Sequence, residues 1–421
     1  MRILHTSDWH LGRTLENINR IDEQKQFIDE LCDKADKEDI DLVLVAGDIF
    51  DTYNPSAAAE ELFFEAINKL NKGGKRAVVV IAGNHDNPER LCASSSLAFR
   101  NGIILLGYPS SYPAGEKNDD NSIRVVNSGP GWLELFIEGC EHNAVIITLP
   151  YPSEARLDEV LTEELEENKL QRAYSDRVGS IFETLSSHFR DDTVNLVVSH
   201  IFVRGGITSK DSERTIQVGG AMTVDPEVLP SKAHYVALGH LHKPQKVKDA
   251  PCPAYYSGSP LAYSFSEAGQ SKEVFIADII PGKEPYIKEE YLNCGKPLVK
   301  WTARQGIEEA LNWCMEGRDL NAWIELEIFL DRPLTMEEQK KLRELNPGII
   351  NIKPIIATET SFIEGFEDRE AKKIDELFKD YYKYKTGMEI SDELMTIFLD
   401  VLNSEDQGED GLTDSVMETT A

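Results

Sequence analysis

Between Asp8 and His242 the chain repeatedly ends an apolar run with carboxylate, amide or imidazole groups. Asp8-Trp9-His10 follows the first run, Gly47-Asp48-Ile49-Phe50-Asp51 the second and Gly83-Asn84-His85-Asp86 the third. Ser199-His200 and Gly239-His240-Leu241-His242 close two later runs. Residues two apart in a strand point to one side, so Asp8 and His10 are expected to converge at a strand end. A glycine ahead of a polar residue lets the backbone turn sharply and approach a ligand closely. Of the nine histidines, His10, His85, His200, His240 and His242 fall in these motifs; His5, His142, His188 and His234 read as core or surface residues. Oxygen donors from Asp and Asn, mixed with imidazole nitrogens and no thiolate, suit two first-row divalent ions such as Mn²⁺ or Fe²⁺. Mg²⁺ prefers oxygens and retained waters and fits so many histidines less well. A carboxylate bridging two ions about 3.5–4 Å apart lets them activate a water and clamp both oxygens of an in-line displacement. That is the chemistry of phosphoester hydrolysis. The plain alternative, motifs serving only as caps and turns, leaves their repetition at strand ends unexplained.

The elements that must position these groups follow from periodicity. Arg2–Thr6, Leu42–Ala46 and 77–82 read as strands, with helical spacing over 21–35 and 57–70 between them. This alternation implies a sheet covered by helices on both faces. Further strands are expected at Ala144–Leu149, 194–199, 235–238 and 274–279, with an antiparallel pair over 123–137 turning at 127–131. So many strands call for an α/β fold in which a two-layer β-sandwich core is flanked by helices. The stretch 154–168 is acidic and helical, and reads as a solvated face. After Pro281-Gly282 the pattern changes to strand, helix, strand, helix, strand at 297–302, Ile307–Met315, 322–330, 335–345 and Ile349–Ile356. Four regions are therefore expected: 1–280 for the catalytic domain, 281–360 for a small α/β domain, 361–403 for amphipathic helices and 404–421 for an acidic disordered tail.

The chain has 421 residues, 41% of them hydrophobic, with 44 Lys+Arg against 74 Asp+Glu and a formal net charge of −30. A core of ordinary size is assured and wholesale disorder is excluded. Proteins that hold nucleic acid by their own surface usually carry the opposite charge, because phosphate contacts come from Lys and Arg. The six cysteines form no CxxC pair, so neither a zinc ribbon nor a disulfide framework is expected. No apolar run of about 18 residues marks a membrane span, and Met1 to His5 carries no signal-peptide pattern, so a cytoplasmic, nucleoid-associated protein is expected. A GxxxxGK[ST] loop is absent, so any ATP dependence must come from a partner.

The order DxH, GD, GNHD, H, GHxH resembles that of the calcineurin-like metallophosphoesterase superfamily. TSDWHLG at 6–12, GDIFD at 47–51, GNHD at 83–86, ALGHLHKPQ at 237–245 and YSGSPLAYSFSE at 256–267 are similar to its double-strand-break-repair nuclease branch. The resemblance implies a first metal ion on Asp8, His10, Asp48 and His242, and a second on Asp48, Asn84, His200 and His240. It implies Mn²⁺ as the best fit, with Mg²⁺ or Fe²⁺ as alternatives. His85 would contact the scissile phosphate and protonate the leaving oxygen, with Asp86 orienting its ring. Asp51 departs from the eukaryotic and archaeal relatives, which commonly have histidine there.

The same resemblance makes 281–360 a capping domain and 361–403 the grip on an SbcC-type ABC ATPase, within a heterotetramer containing a homodimer of this chain. The implied activity is 3′→5′ exonuclease on DNA ends and endonuclease on hairpins or single strands, in repair, recombination and replication. Two competitors share the motifs or the partners: a phosphodiesterase or phosphatase for small nucleotides or phosphoproteins, and a DNA-end scaffold that does not cut.

Overall fold

The computed structural model describes residues 1–113, 122–157, 167–209 and 222–356, with 378, 379 and 395 beyond them. Those three positions apart, the expected helices of 361–403 and the tail of 404–421 lie outside the described residues, as does 158–166 of the acidic stretch. By its internal contacts the chain divides into two units. Met1–Ile328 with Thr335–Lys353 make the first, which carries the site, and the second includes Phe329–Leu334. Among the described residues no helix is long and apolar enough to cross a membrane.

Two sheets form the core. The first runs in the order Tyr286–Leu292, Lys272–Asp278, Arg2–Thr6, Leu42–Ala46, Ala77–Ile81, Ile103–Leu106. Its last four strands are parallel, and the first two add antiparallel. The second sheet orders Gln245–Lys246, Ala254–Tyr256, Tyr235–Gly239, Val194–His200, Ala144–Leu149, Trp132–Ile137 and Ile123–Gly129. Its centre is parallel and both ends are antiparallel.

Leu42–Ala46 is apolar at every position because both its faces are buried. Val43 and Val45 pack with Phe27, Leu31 and Phe63 from the helices Ile21–Lys37 and Ala57–Asn71. Leu42, Leu44 and Ala46 face Ile146, Leu196, Val198 and Ala237 of the second sheet. On that sheet's outer side, Val145, Val197 and Val236 meet Tyr174, Val178 and Phe182 of the helix Glu167–Leu185. The expectation of helices on both faces of one sheet is thus corrected: each sheet has helices on one face and the other sheet on its second. Each buried Val, Leu, Ile or Phe contributes roughly 1.5–3 kcal/mol, so these layers, rather than caps, dominate stability. Caps still set the ends: Ser56 Oγ accepts the Ala59 amide, and Arg76 donates to the carbonyls of Ala35 and Ile40 where the first helix stops.

Four strands of these two sheets escaped the sequence reading, one of them the two-residue Gln245–Lys246. Ile103–Leu106 and Ala254–Tyr256 are short, and Tyr286–Leu292 is an edge strand whose sequence, YIKEEYL, is charged at its centre. Charges protect an exposed edge from pairing with another chain and remove the hydrophobic alternation that would have announced it. The first sheet therefore extends past residue 280, where the catalytic domain was expected to end. Beyond it, Leu298–Ala303, Ile307–Met315, Trp323–Leu330, Met336–Leu345 and Ile349–Ile356 give the small α/β unit in the expected order. Its second helix starts with a capping box between Thr335 and Glu338.

His5 ties the sheets together. Its Nε2 lies 3.1 Å from the Leu238 carbonyl, an acceptor, so Nε2 carries the proton and Nδ1 accepts from the Tyr235 hydroxyl at 3.0 Å. Burial pushes this imidazole down to about 3. The unfolded chain takes up this proton below about pH 6.5 and the folded one does not until near pH 3, so stability falls across that window. His5→Gln should therefore flatten the acid sensitivity of urea unfolding, recovering ~2 kcal/mol of the loss between about pH 7 and pH 5. Identical pH dependence in the two proteins would refute the assignment.

Candidate metal centre

The parallel strands of both sheets end at one edge of the sandwich, where ligands are expected in such folds. Asp8 and His10 lie beyond the first strand, Asp48 beyond the second, and His240 beyond Tyr235–Gly239. All four have left-handed backbone, with φ of 53°, 45°, 50° and 106°. Asp8 and His10 thus meet through a strained turn, not through the strand alternation inferred from their spacing. Strain of this kind costs on the order of 1–3 kcal/mol per residue and persists only where neighbours enforce it. Here the two loops brace each other: Asp8 N donates to Gly47 O, His10 N to Asp48 O and Leu11 N to Ile49 O, at 2.9–3.0 Å.

The glycines matter through missing atoms more than through turning. A Cβ on Gly83 would collide with Asp48 Oδ1, and one on Gly239 would collide with the Ala46 carbonyl. Strand ends from opposite sheets can approach only because nothing projects there.

The expected ligands assemble into two neighbouring groups, Asp8 with His10 and His242, and Asp48 with His200 and His240. Within each, the donor atoms lie within 4.8 Å of one another. Asp48 Oδ2 reaches toward both, 3.7 Å from His10 Nε2 and 3.5 Å from His200 Nε2. Asn84 Oδ1 sits 2.9 Å from His200 Nε2 and 2.9 Å from His240 Nδ1. The donor set fits cations. His200 Nδ1 lies 2.8 Å from the Ala46 carbonyl, to which it donates, and this turns Nε2 toward the oxygens of Asn84 and Asp48. His10 Nε2 and His242 Nε2 face each other at 3.0 Å, while their Nδ1 atoms lie 3.6 Å from Asp51 and 3.7 Å from Glu267 carboxylates. Imidazole, amide and carboxylate donors crowded together in this way suit a divalent cation lying among them.

Charge in the bare site divides accordingly. Burial drives the Asp8 carboxyl upward, and the nearby Asp48 adds to it. Burial also opposes ionisation of Asp48, yet His200, His85 and His10 hold it well below the usual carboxylate range. His200 is pushed up to about 9 because Asp48 overcomes the burial that would lower it. Burial keeps His10, His240 and His242 low, as neutral ligand nitrogens should be.

His85 lies beside the two groups, with Nε2 3.9 Å from Asp48 Oδ2 and its amide donating to Asp48 Oδ1 at 2.8 Å. Its Nδ1 bonds the Asp51 main-chain carbonyl at 2.6 Å. The orientation expected from Asp86 is therefore corrected. The Asp86 carboxylate instead accepts the amides of Gly83, Ile49 and Phe50 at 2.8–3.1 Å and so pins two site loops together. A buried acid next to three unpaired amides is consumed by them. Asp51 also offers its side chain, 3.6 Å from His10 Nδ1 and 3.6 Å from Arg13.

Several supporting residues were not singled out from the sequence. Ser7 Oγ donates to Asp8 Oδ2 at 2.5 Å, and Asp8 also accepts the His240 amide at 3.0 Å. Tyr263 donates to the Trp9 carbonyl, and Gln24 to the His10 carbonyl at 3.0 Å, so both hold the first loop. Arg156 grips the Gly83 and Asp86 carbonyls at 2.7 and 2.8 Å. Ser7, Tyr263 and Glu267 carried a signal, as members of the TSDWHLG and YSGSPLAYSFSE segments; a glutamine or arginine elsewhere in the chain has none.

The chain matches the calcineurin-like phosphoesterase family model over residues 1–244. Over 402 residues it is 48% identical to a Bacillus subtilis (strain 168) protein named as the D component of the nuclease SbcCD, covering 95% of this chain and 97% of that one. A Staphylococcus epidermidis (strain ATCC 12228 / FDA PCI 1200) protein of the same name is 29% identical over 394 residues, covering 93% and 95%. Among solved structures, a dimetal phosphatase from Danio rerio aligns at 10% identity with a TM-score of 0.39, over 69% of this chain and 96% of that one.

Asp48 Oδ2 stands between the two groups, and His85 lies beside them. Asp48→Ala and Gly83→Ala should lose tightly bound Mn²⁺ on gel filtration, whereas His85→Ala should retain as much as the wild type by elemental analysis. Loss of metal from His85→Ala to the same degree as from Asp48→Ala would contradict this division.

Proposed function

This chain belongs to the calcineurin-like phosphoesterase family, and from that premise we propose that it is the DNA nuclease component of an SbcCD-type complex. The observation that carries the reading is the pair of Asp/Asn/His groups meeting at Asp48, in a chain 48% identical to a nuclease component across nearly the full length of both. Asp8, His10, Asp48 and His242 would hold one divalent ion, and Asp48, Asn84, His200 and His240 the other. Mn²⁺ suits this balance of oxygen and imidazole donors. Such ions supply a water nucleophile at neutral pH and neutralise charge on the phosphate.

The chain's own residues orient and transfer protons. The Asp51 carbonyl is an acceptor, so His85 carries a proton on Nδ1 and turns Nε2 toward the site. Protonated there as well, His85 can donate to a phosphate oxygen and pass the proton to the leaving 3′ or 5′ oxygen. Asp86 and Arg156 keep its loop in place from behind.

The reading extends to the rest of the chain. The region 281–360 acts as a cap that selects DNA shapes, and 361–403 binds an SbcC-type ABC ATPase in a heterotetramer with two copies of this chain. The substrates are duplex ends, cut 3′→5′, and hairpins or single strands, cut internally, in the cytoplasm at the nucleoid. The charge of −30 supports dependence on a partner, since a chain so acidic grips long DNA weakly and the ATPase must supply most backbone contacts.

With Mn²⁺ present, the chain should cleave linear duplex and hairpin DNA, faster with the ATPase, and act poorly on a phosphomonoester; His85→Ala should abolish cleavage. Hydrolysis of the monoester without DNA cleavage would establish the phosphatase reading instead. DNA binding with no cleavage at all would establish the scaffold.

A further inference from the structure

Behind the first metal group lies a buried ion pair that hydrolysis does not use. Glu267 is 0% exposed and Lys272 8%. Lys272 Nζ donates to the Glu267 carboxylate, to Ser259 Oγ at 2.9 Å and to the His242 carbonyl at 3.3 Å. Glu267 Oε1 accepts the Tyr263 amide at 3.3 Å and stands 3.7 Å from His242 Nδ1. The Ser259 amide adds a second donor, at 3.2 Å, to the same His242 carbonyl. One pair therefore addresses a single metal-ligand residue twice, at its main-chain oxygen and at its ring.

Burying two charges costs several kcal/mol, and a hydrophobic pair of equal volume often does no worse for stability. A carboxylate placed behind a ligating imidazole has a separate use. It favours the proton on Nδ1, leaves the Nε2 lone pair for the metal and makes that nitrogen more basic. His242 Nε2 points into the first group, 3.0 Å from His10 Nε2. Within the second group His200 relies on a main-chain carbonyl, that of Ala46, for the same purpose, so the carboxylate distinguishes the first position from the second.

We propose that Glu267, paired with Lys272, is a positioning residue that sets the ring and backbone of His242 and thereby strengthens the first metal position selectively. The inference rests on the two-metal reading of the site and adds a determinant of unequal affinity to it. Lys272 serves both ends: it neutralises the buried carboxylate and anchors the carbonyl of the residue that carboxylate orients.

The test is calorimetric titration of the full chain with Mn²⁺. Two variants keep the fold by different routes: Glu267→Gln with Lys272→Met removes both charges, and Glu267→Asp keeps the pair but draws the carboxylate back from Nδ1. In each, one Mn²⁺ should bind as in the wild type and the other about 10–100-fold more weakly. Raising Mn²⁺ should restore two-ion occupancy and, with it, hydrolysis. Melting temperatures near that of the wild type, with both affinities unchanged, would reduce the pair to a core ion pair and overturn the inference. Equal weakening of both ions would overturn its selectivity. A wild-type chain that binds no Mn²⁺ would overturn the two-metal reading itself, which separates the two failures.

Discussion

A buried carboxylate must have its charge compensated, and the site is arranged around that requirement at Asp48. The residue is 2% exposed and stands where the strand ends of the two sheets come together. Its environment offers imidazoles from His10, His85 and His200, at or beyond three separate strand ends. Burial raises the Asp8 carboxyl, with Asp48 adding to it, and Asp48 raises the His200 imidazole against the burial that would lower it. Divalent ions would invert this local balance and leave the same carboxylate as a bridge. The separation of the sheets, the glycines at their strand ends and the left-handed turns all serve to place these groups around one oxygen pair.

That placement is costly, and its bracing is distributed. Left-handed conformations at Asp8, His10, Asp48 and His240 are held by amide–carbonyl bonds between loops and by side chains that occupy the remaining polar atoms. Asp86 collects three amides, Arg156 two carbonyls, and Gln24 and Tyr263 the carbonyls of the first loop. The positions of these donor groups are thereby fixed by the fold itself. Such a site tolerates change poorly, because each brace touches a loop that carries a ligand.

The acidity of the whole chain and the attraction of its site for phosphate are compatible because they act over different ranges. Surface carboxylates are screened over about 8 Å at physiological salt, whereas two ions against the carboxylates of Asp8 and Asp48 would set the field inside the pocket. The small α/β unit is joined to this region through the first helix. Glu23 accepts both the Trp323 indole N–H and the Lys296 amide while paired with Arg20, and Gln24 beside it holds the His10 loop. The packing around Trp323 and Lys296 is thus continuous with that of the loop that bears His10.

The ligand types, their order along the chain and most of the strands that present them were legible in the sequence. Apolar runs that end in Asp, Asn and His are a local property, and a chemical inventory of divalent-metal donors needs no coordinates. The role of Asp86 was not legible, since its amide partners on Ile49 and Phe50 come from another loop. Nor was the edge strand Tyr286–Leu292, whose charges erase the periodicity that marks buried strands. The same holds for the burial of Lys272: a lysine in sequence looks like surface, and only its hydrogen bonds to Glu267, Ser259 and the His242 carbonyl make it an interior group. Sequence alone determined what chemistry the chain could do, because donor atoms belong to residue types. Tertiary structure decided which donors share an ion and what holds each ring, because those depend on contacts between loops far apart in the chain.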